Sequence, residues 1–440
     1  MPTLPANHRF NFREWLEGTT YPDWRRQQLI DVRARMRGKR LHRRHRRVKM
    51  FIKREWYNKF ERPRGIYSRA DESKIVLGPI IKAIEKIVYK FSAGEKGKRH
   101  FVKHVPVNER PEFLKDMVDS SGNRFVVMDY TAFESSFTAD LMNSAEVMLY
   151  KHVLQRHPQA LSTLVTTITG KNDIYSRHFR FRITARRMSG EMNTSLGNGF
   201  ANLMILLFWA KKKGITLYGP VVEGDDSLCS IPFNADTDTS LIEEVGIGVE
   251  AEFFNDFSSS SFCGSHAHPD TLENTTDPVR ALLKLGTTHS QQMFAGPAKR
   301  RGLLLAKVLS LGYEYPRMPI IWALVRRFLF LLRFDEPIYE RDSYRNFTEI
   351  DRNLVEANVG PPHELTREMF SRSKKEGGFD VSEGEQILLE RYMESRDDPC
   401  AAFSDDPVQY FVLDRCEKDC IDYFDGFTVR DDVMNSGYLH

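Results

Sequence analysis

The sequence predicts a mixed α+β fold, and three observations lead there. Two short runs of β-forming residues, RFVVMDY (Arg124 to Tyr130) and GPVVEGDDSLCSI (Gly219 to Ile231), each arrive at acidic residues. Stretches with apolar residues at helical spacing separate them. Beyond about Asp277 the pattern is dominated by helices.

Taken in chain order, residues 1 to about 48 are polar and basic, with helix expected around Trp24 to Arg47. Met50 to Ile66 mixes basic and aromatic residues and ends in RPRGI, where Pro63 and Gly65 mark an extended or looped piece. From Ser73 to Phe91, Ile80, Ile81, Ile84, Ile87 and Val88 recur at helical spacing. Thr138 to His157 reads as one helix with Leu141, Val147, Met148 and Val153 inward. Ser195 to Gly214 reads as another, stopped by Gly214. GPVVEGDDSLCSI reads as two strands joined at Gly224 and Asp225. The most hydrophobic stretch, Met318 to Phe334, is short for a membrane span and carries Arg326 and Arg327. A buried or partner-facing helix is the expectation there, against a membrane-surface contact.

Lys and Arg number 64 and acids 60, so the overall balance says little and the distribution decides. From Arg25 to Arg54 there are fourteen basic residues and one acid, Asp31. That asymmetry points to a polyanionic partner near the N-terminal third. The chain turns acidic after about Phe334. Five scattered cysteines, with no C-x-x-C pair, suggest a reduced, intracellular chain. Cys263, His266 and His268 raise a zinc site as a minor alternative, without the usual paired spacing. The N-terminus lacks the apolar run of a signal peptide.

Glu223, Asp225 and Asp226 stand together inside an apolar segment, where an unpaired charge is costly to bury. A hairpin tip presenting carboxylates to a cation explains them; a solvated acidic turn is the alternative for this fragment alone. VVMDYTAFESSF repeats the arrangement, with Asp129 at a strand end and Glu134 five positions on. Carboxylates from separate strands, Asp129 and Asp225, suit a pair of Mg²⁺ ions whose shells substrate phosphates complete. Such a pair serves phosphoryl transfer. MSGEMNTSLGNGFANL then sets Thr194 and Asn198 one helical turn apart. That face can hydrogen-bond a sugar hydroxyl or a template backbone. Helix capping by Ser189 or Thr194 is the alternative.

These fragments, in this order, resemble the viral RNA-dependent RNA polymerases. D-x4-[DE] is Asp129 to Glu134, SG-x3-T-x3-N is Ser189, Gly190, Thr194 and Asn198, and GDD is Gly224 to Asp226. FIKREWYNKFERPRGIYSR resembles the basic fingers segment, with Lys53, Arg64 and Arg69 at cationic positions and Glu55 in a K-x-E pattern. FCGSH followed by DPVRALLKLG resembles the tombus-like and noda-like group of positive-strand RNA viruses. The resemblance covers roughly residues 49–286.

It implies a right-hand fold of fingers, palm and thumb, with an antiparallel palm sheet backed by helices. The expected division is 1–120 for a basic region and fingers, 121–276 for a palm with inserted fingers segment, and 277–440 for thumb and tail. Asp129, Asp225 and Asp226 would be catalytic and bind two Mg²⁺, with Mn²⁺ able to substitute. Glu134, Ser189, Thr194 and Asn198 would serve the NTP ribose. Lys53, Arg64 and Arg69 would serve the triphosphate, and Gly190 and Asn193 the RNA. The partners implied are template and product RNA and NTPs, with host membranes or other viral replication proteins beside them. Replication in host cytoplasm, in membrane-associated complexes or with a virion-associated fraction, is the implied setting.

Two departures stand out. Many family members have Asp where Glu134 stands. The segment after GDD usually offers a Lys to protonate pyrophosphate, and EEVGIGVEAEFFNDFSSSSF has no Lys or Arg; His266, His268 or water are the candidates. A non-catalytic RNA-binding viral protein and a reverse transcriptase are the other readings. Clustered acids argue against the first. Glu134, and Gly224 in place of an aromatic-led hairpin, argue against the second. In the acidic tail, Tyr410, Phe411, Tyr423 and Phe424 either stack on an initiating nucleotide or pack the tail onto the thumb.

Overall fold

The computed structural model describes residues 1–53, 64–91, 99–118, 123–286, 295–339, 350–401 and 407–415. The chain divides into two compact units. The first contains Met1–Ile52 and Gly65–Cys263; the second is built mainly from Gly264–Glu340 and Phe347–His440. The mixed α+β class holds.

Among its described residues the first unit has eight strands: β1 (Val48–Ile52), β2 (Gly65–Arg69), β3 (Asn123–Tyr130), β4 (Lys171–Tyr175), β5 (Arg180–Thr184), β6 (Tyr218–Glu223), β7 (Asp226–Pro232) and β8 (Val249–Phe254). They form two four-stranded sheets, in the orders β2-β1-β4-β5 and β6-β7-β3-β8. All pairings of the second sheet are antiparallel. In the first, β1 and β4 pair in parallel, Val48 opposite Ile174.

β3 shows why the second sheet forms. Val126, Met128 and Tyr130 alternate along it and join the unit's main core. That core includes Leu206 and Trp209 of the helix Thr194–Lys213, which packs on β6. The same alternation turns Val127 and Asp129 to the opposite face. Gly214 ends the helix in the left-handed region, as its sequence position predicts.

The single helix expected from Thr138 to His157 is broken. Two helices, Ala139–Ser144 and Glu146–Val153, meet at Ala145, whose φ of −108° and ψ of −91° are not helical. The break resets the phase. Met142, Val147, Leu149 and Val153 are buried, while Met148 is 54% exposed and not inward as expected.

Arg25, in the helix Asp23–Arg35, is buried against Asp71, with guanidinium bonds of 2.7 and 2.5 Å. Part of the basic N-terminal run is therefore internal bracing, while Lys39, Arg40, Arg43 and Arg44 lie on the surface.

In the second unit a two-stranded ribbon pairs β9 (His266–Ala267) with β10 (Asn274–Thr275), and the other regular elements among the described residues are helices. The helix Ile321–Leu331 is the buried centre of the apolar stretch from Met318 to Phe334, with Leu324, Val325 and Phe328 inside. Its arginines reach outward: Arg326 pairs with Glu394 and Arg327 with Asp397. No helix among the described residues is long and apolar enough to cross a membrane. Phe411 packs in this core while Tyr410 is exposed. Tyr423 and Phe424 lie outside the described residues, as does Glu55.

Candidate active site

The acidic turn is a hairpin between β6 and β7. Glu223 pairs with Asp226, leaving Gly224 and Asp225 as a two-residue turn. Gly224 has φ +67°, and Asp225 is not among the positive-φ residues, which suits a type II′ hairpin with glycine first. The β3–β7 register runs from Asn123↔Pro232 to Met128↔Ser227, so Asp129 comes next in line with Asp226. On its other side Asp129 is paired with Glu250 of β8. Antiparallel partners share a sheet face, so Glu223, Asp226, Asp129 and Glu250 form one row of acids. Like charges placed directly opposite one another repel.

Part of that charge is compensated by protein. Arg110 donates to Glu223 at 2.9 Å, and Lys103 stands 3.7 Å away. Asp129, Asp225 and Asp226 are exposed at the surface. Even so, loss of hydration on its protein side, then the charges of Asp225, Asp129 and Glu223, push the Asp226 carboxyl up to about 6. The Cys263 thiol hydrogen-bonds Asp226, and burial followed by the Asp226 and Glu223 charges pushes that thiol well up. Among the described residues, no group of three His, Cys, Asp or Glu side chains could by itself hold a metal ion. Hard carboxylate oxygens in mutual repulsion still suit a divalent cation that keeps several of its waters.

The turn is held from beneath by one side chain. Asn202 is fully buried on the helix Thr194–Lys213. Its Nδ2 donates to the carbonyls of Gly224, Asp225 and Asp226 at 3.3, 2.8 and 3.1 Å. Tyr130 donates its hydroxyl to Asn202 Oδ1 at 3.1 Å, which fixes the amide's orientation. Asp129 and the turn are thereby connected through adjacent residues of β3.

One helical turn before Asn202 lies Asn198. Its Nδ2 donates to Glu134 Oε1 at 3.3 Å, so the two proposed sugar readers meet. The other expected ribose contacts, Ser189 and Thr194, hydrogen-bond within the protein. Ser189 Oγ donates to Gly65 O and accepts from Tyr67 N, binding its loop to β2. Thr194 Oγ1 donates to Met188 O at 2.7 Å and accepts from Glu191 N.

The expected RNA contacts also turn inward. Gly190 N–H donates to Tyr67 O, and a Cβ there would lie 2.9 Å from that oxygen. Asn193 is buried, with Nδ2 donating to Glu146 Oε2 at 3.1 Å. Arg69 is 3% exposed; it is ion-paired to Glu191 and donates to Asn172 Oδ1 and Arg46 O. Its charge is used inside the unit. Lys53 N–H donates to Arg64 O, closing the ends of residues 54–63, which lie outside the described residues.

The sequence pattern of the family described as "Viral RNA dependent RNA polymerase" matches residues 20–241, just over half of the 440-residue chain. The chain belongs to this viral polymerase family. It is also 28% identical over 194 residues to the RNA-directed RNA polymerase of Panicum mosaic virus (strain United States/Kansas 109S). That match takes 42% of this chain and 19% of the relative, so the matched part is about a fifth of the relative's length. The family match includes Asp129, Glu134, Ser189 to Asn198 and the Gly224–Asp226 turn.

Within this polymerase-family unit, several residues escaped the sequence reading. Asn202 had a signal, a further Asn four places after Asn198 in an apolar helix. Arg187 and Glu146 had none, being 41 residues apart and meeting only in the fold. Tyr130 read as a plain strand residue, and Arg110 drew no reading at all.

Proposed function

We propose that this chain is an RNA-directed RNA polymerase with fingers, palm and thumb, replicating a viral RNA genome from NTPs. In this reading the β6-β7-β3-β8 sheet is the palm and the helical second unit forms the thumb. The row of acids across β3 and the hairpin carries the proposal, supported by the Glu134–Asn198 contact beside it.

Asp129 and Asp225, with Asp226 in support, would hold Mg²⁺. The chemistry such an ion would supply there is activation of an RNA 3′-hydroxyl and charge stabilisation on the departing pyrophosphate. The remaining work falls to the protein. Asn202 and Tyr130 fix the turn that presents Asp225 and Asp226. Glu134 and Asn198 read the ribose. Lys53 and Arg64 would serve the triphosphate, and Arg69 braces the β2 region through Glu191. Template and product RNA are the macromolecular partners, with recruitment to host membranes or other replication proteins expected in the cytoplasm.

The test supplies purified chain with template RNA, four NTPs and Mg²⁺. Template-dependent incorporation is expected, with loss of at least about a hundredfold in Asp225→Asn, the scale of removing a charge-stabilising group from a reaction centre. Full incorporation by Asp225→Asn would refute the assignment.

A further inference from the structure

Beneath the Glu134–Asn198 contact lies a buried ion pair that the catalytic description does not use. Arg187 and Glu146 have fully buried side chains and meet in two bonds, 2.7 and 3.0 Å. Glu146 Oε2 also accepts from Tyr150 Oη at 2.8 Å and from Asn193 Nδ2 at 3.1 Å. Arg187 lies over the ring of Phe137, 4.4 Å from its centroid. The pair sits tightly under the helix Thr194–Lys213: a Cβ on Gly197 would come within 2.5 Å of both Arg187 Nη2 and Glu146 Oε2.

The guanidinium has one further bond. Arg187 Nε donates to Asn198 Oδ1 at 3.0 Å. Its backbone N–H donates to Glu134 O at 3.3 Å. A guanidinium can only donate, so it requires the oxygen of the Asn198 amide. The amide's NH₂ is then left for Glu134 Oε1. The opposite orientation would set the amide oxygen against a carboxylate and its NH₂ against a guanidinium.

We infer that Arg187, held by Glu146, is a positioning residue for sugar selection. It fixes the polarity of the Asn198 amide and so presents Glu134 as an acceptor for a hydroxyl donor, the ribose 2′-OH. A buried ion pair is a poor source of stability compared with apolar packing of the same volume, so a role in specificity gives it a reason to be there. This inference rests on the proposed polymerase reading.

The experiment compares incorporation efficiency, kcat/KM, for each NTP and its 2′-deoxy counterpart. It uses the full chain and the variants Arg187→Lys, Asn198→Ala and the double replacement Arg187→Met with Glu146→Leu. Thermal melting reports folding. Arg187→Lys keeps a charge for Glu146 and lacks the Nε donor. The double replacement removes both charges together, so neither is left buried without its partner. Both are expected to lower the ribo-over-deoxy preference at least tenfold, toward the value of Asn198→Ala. KM for the NTP should change more than the rate with dNTP.

A folded variant that loses rate equally on both sugars, with the preference unchanged, overturns the inference and leaves a purely structural pair. A wild-type chain that incorporates no nucleotide overturns the polymerase reading itself, and the inference with it.

Discussion

Replacing Asn202 by Asp swaps an NH₂ for an oxygen with almost no change in size, so it isolates what the amide does. Its Nδ2 serves three carbonyls, the nearest at 2.8 Å, while its Oδ1 accepts from Tyr130. Asn202→Ala removes these donors. At roughly 1–3 kcal/mol for each buried acceptor left unpaired, and with two N–H groups lost, the cost is about 2–6 kcal/mol. Asn202→Asp loses the same donors and adds a buried carboxylate facing carbonyl oxygens. An uncompensated buried charge costs about 3–5 kcal/mol, so the aspartate variant should be the less stable of the two despite its better fit. Burial raises the introduced carboxyl's folded pKa above its unfolded value. Its penalty is therefore full above the raised pKa and shrinks as pH falls through it. Urea unfolding at about pH 8 and about pH 5 measures both effects, and hydrogen exchange at residues 223–227 should quicken in both variants. If the aspartate variant at pH 8 is as stable as the alanine variant, the amide is not the donor that holds the turn.

Arg187→Met alone leaves Glu146 buried without its charge partner and should cost about 3–5 kcal/mol; adding Glu146→Leu should recover most of it, read by thermal melting. Asp226, pushed up to about 6, contributes stability to the metal-free chain that is present below its ordinary value and lost as pH rises through about 6. Asp226→Asn should therefore melt higher than wild type in chelator at neutral pH and not below about pH 4, while its incorporation falls. Mg²⁺ should raise the wild-type melting temperature at neutral pH and raise that of Asp226→Asn less. In the second unit, Phe328→Ala should destabilise by about 3–5 kcal/mol, since it empties a fully packed core position; calorimetry checks it.

What could be read from the sequence followed locality. The hairpin was legible because glycine and two aspartates interrupt apolar β runs, and the register confirms the turn at Gly224 and Asp225. The helix Thr194–Lys213 was legible from its apolar spacing and its terminal glycine. The break at Ala145 was not, because neither Gly nor Pro marks it, and the inward faces beyond it were misassigned at Met148. The parallel pairing of Val48 with Ile174 joins residues far apart in sequence and left no local trace. For the candidate site, residue types were legible and their commitments were not. Nothing near Arg69 or Asn193 in the sequence announced that Glu191 and Glu146 stand against them. An ion pair closed across long stretches of chain has no periodicity to betray it.

Asn198 and Asn202 ride on one rigid rod, a single turn and about 6 Å apart along its axis. A small slide of that rod would disturb the proposed sugar readers and the seat of the acidic hairpin together, with no contact to either. Leu206 and Trp209 continue the same face of the rod into the core, so a bulky substitution there would blunt the proposed sugar selection and turnover in one stroke.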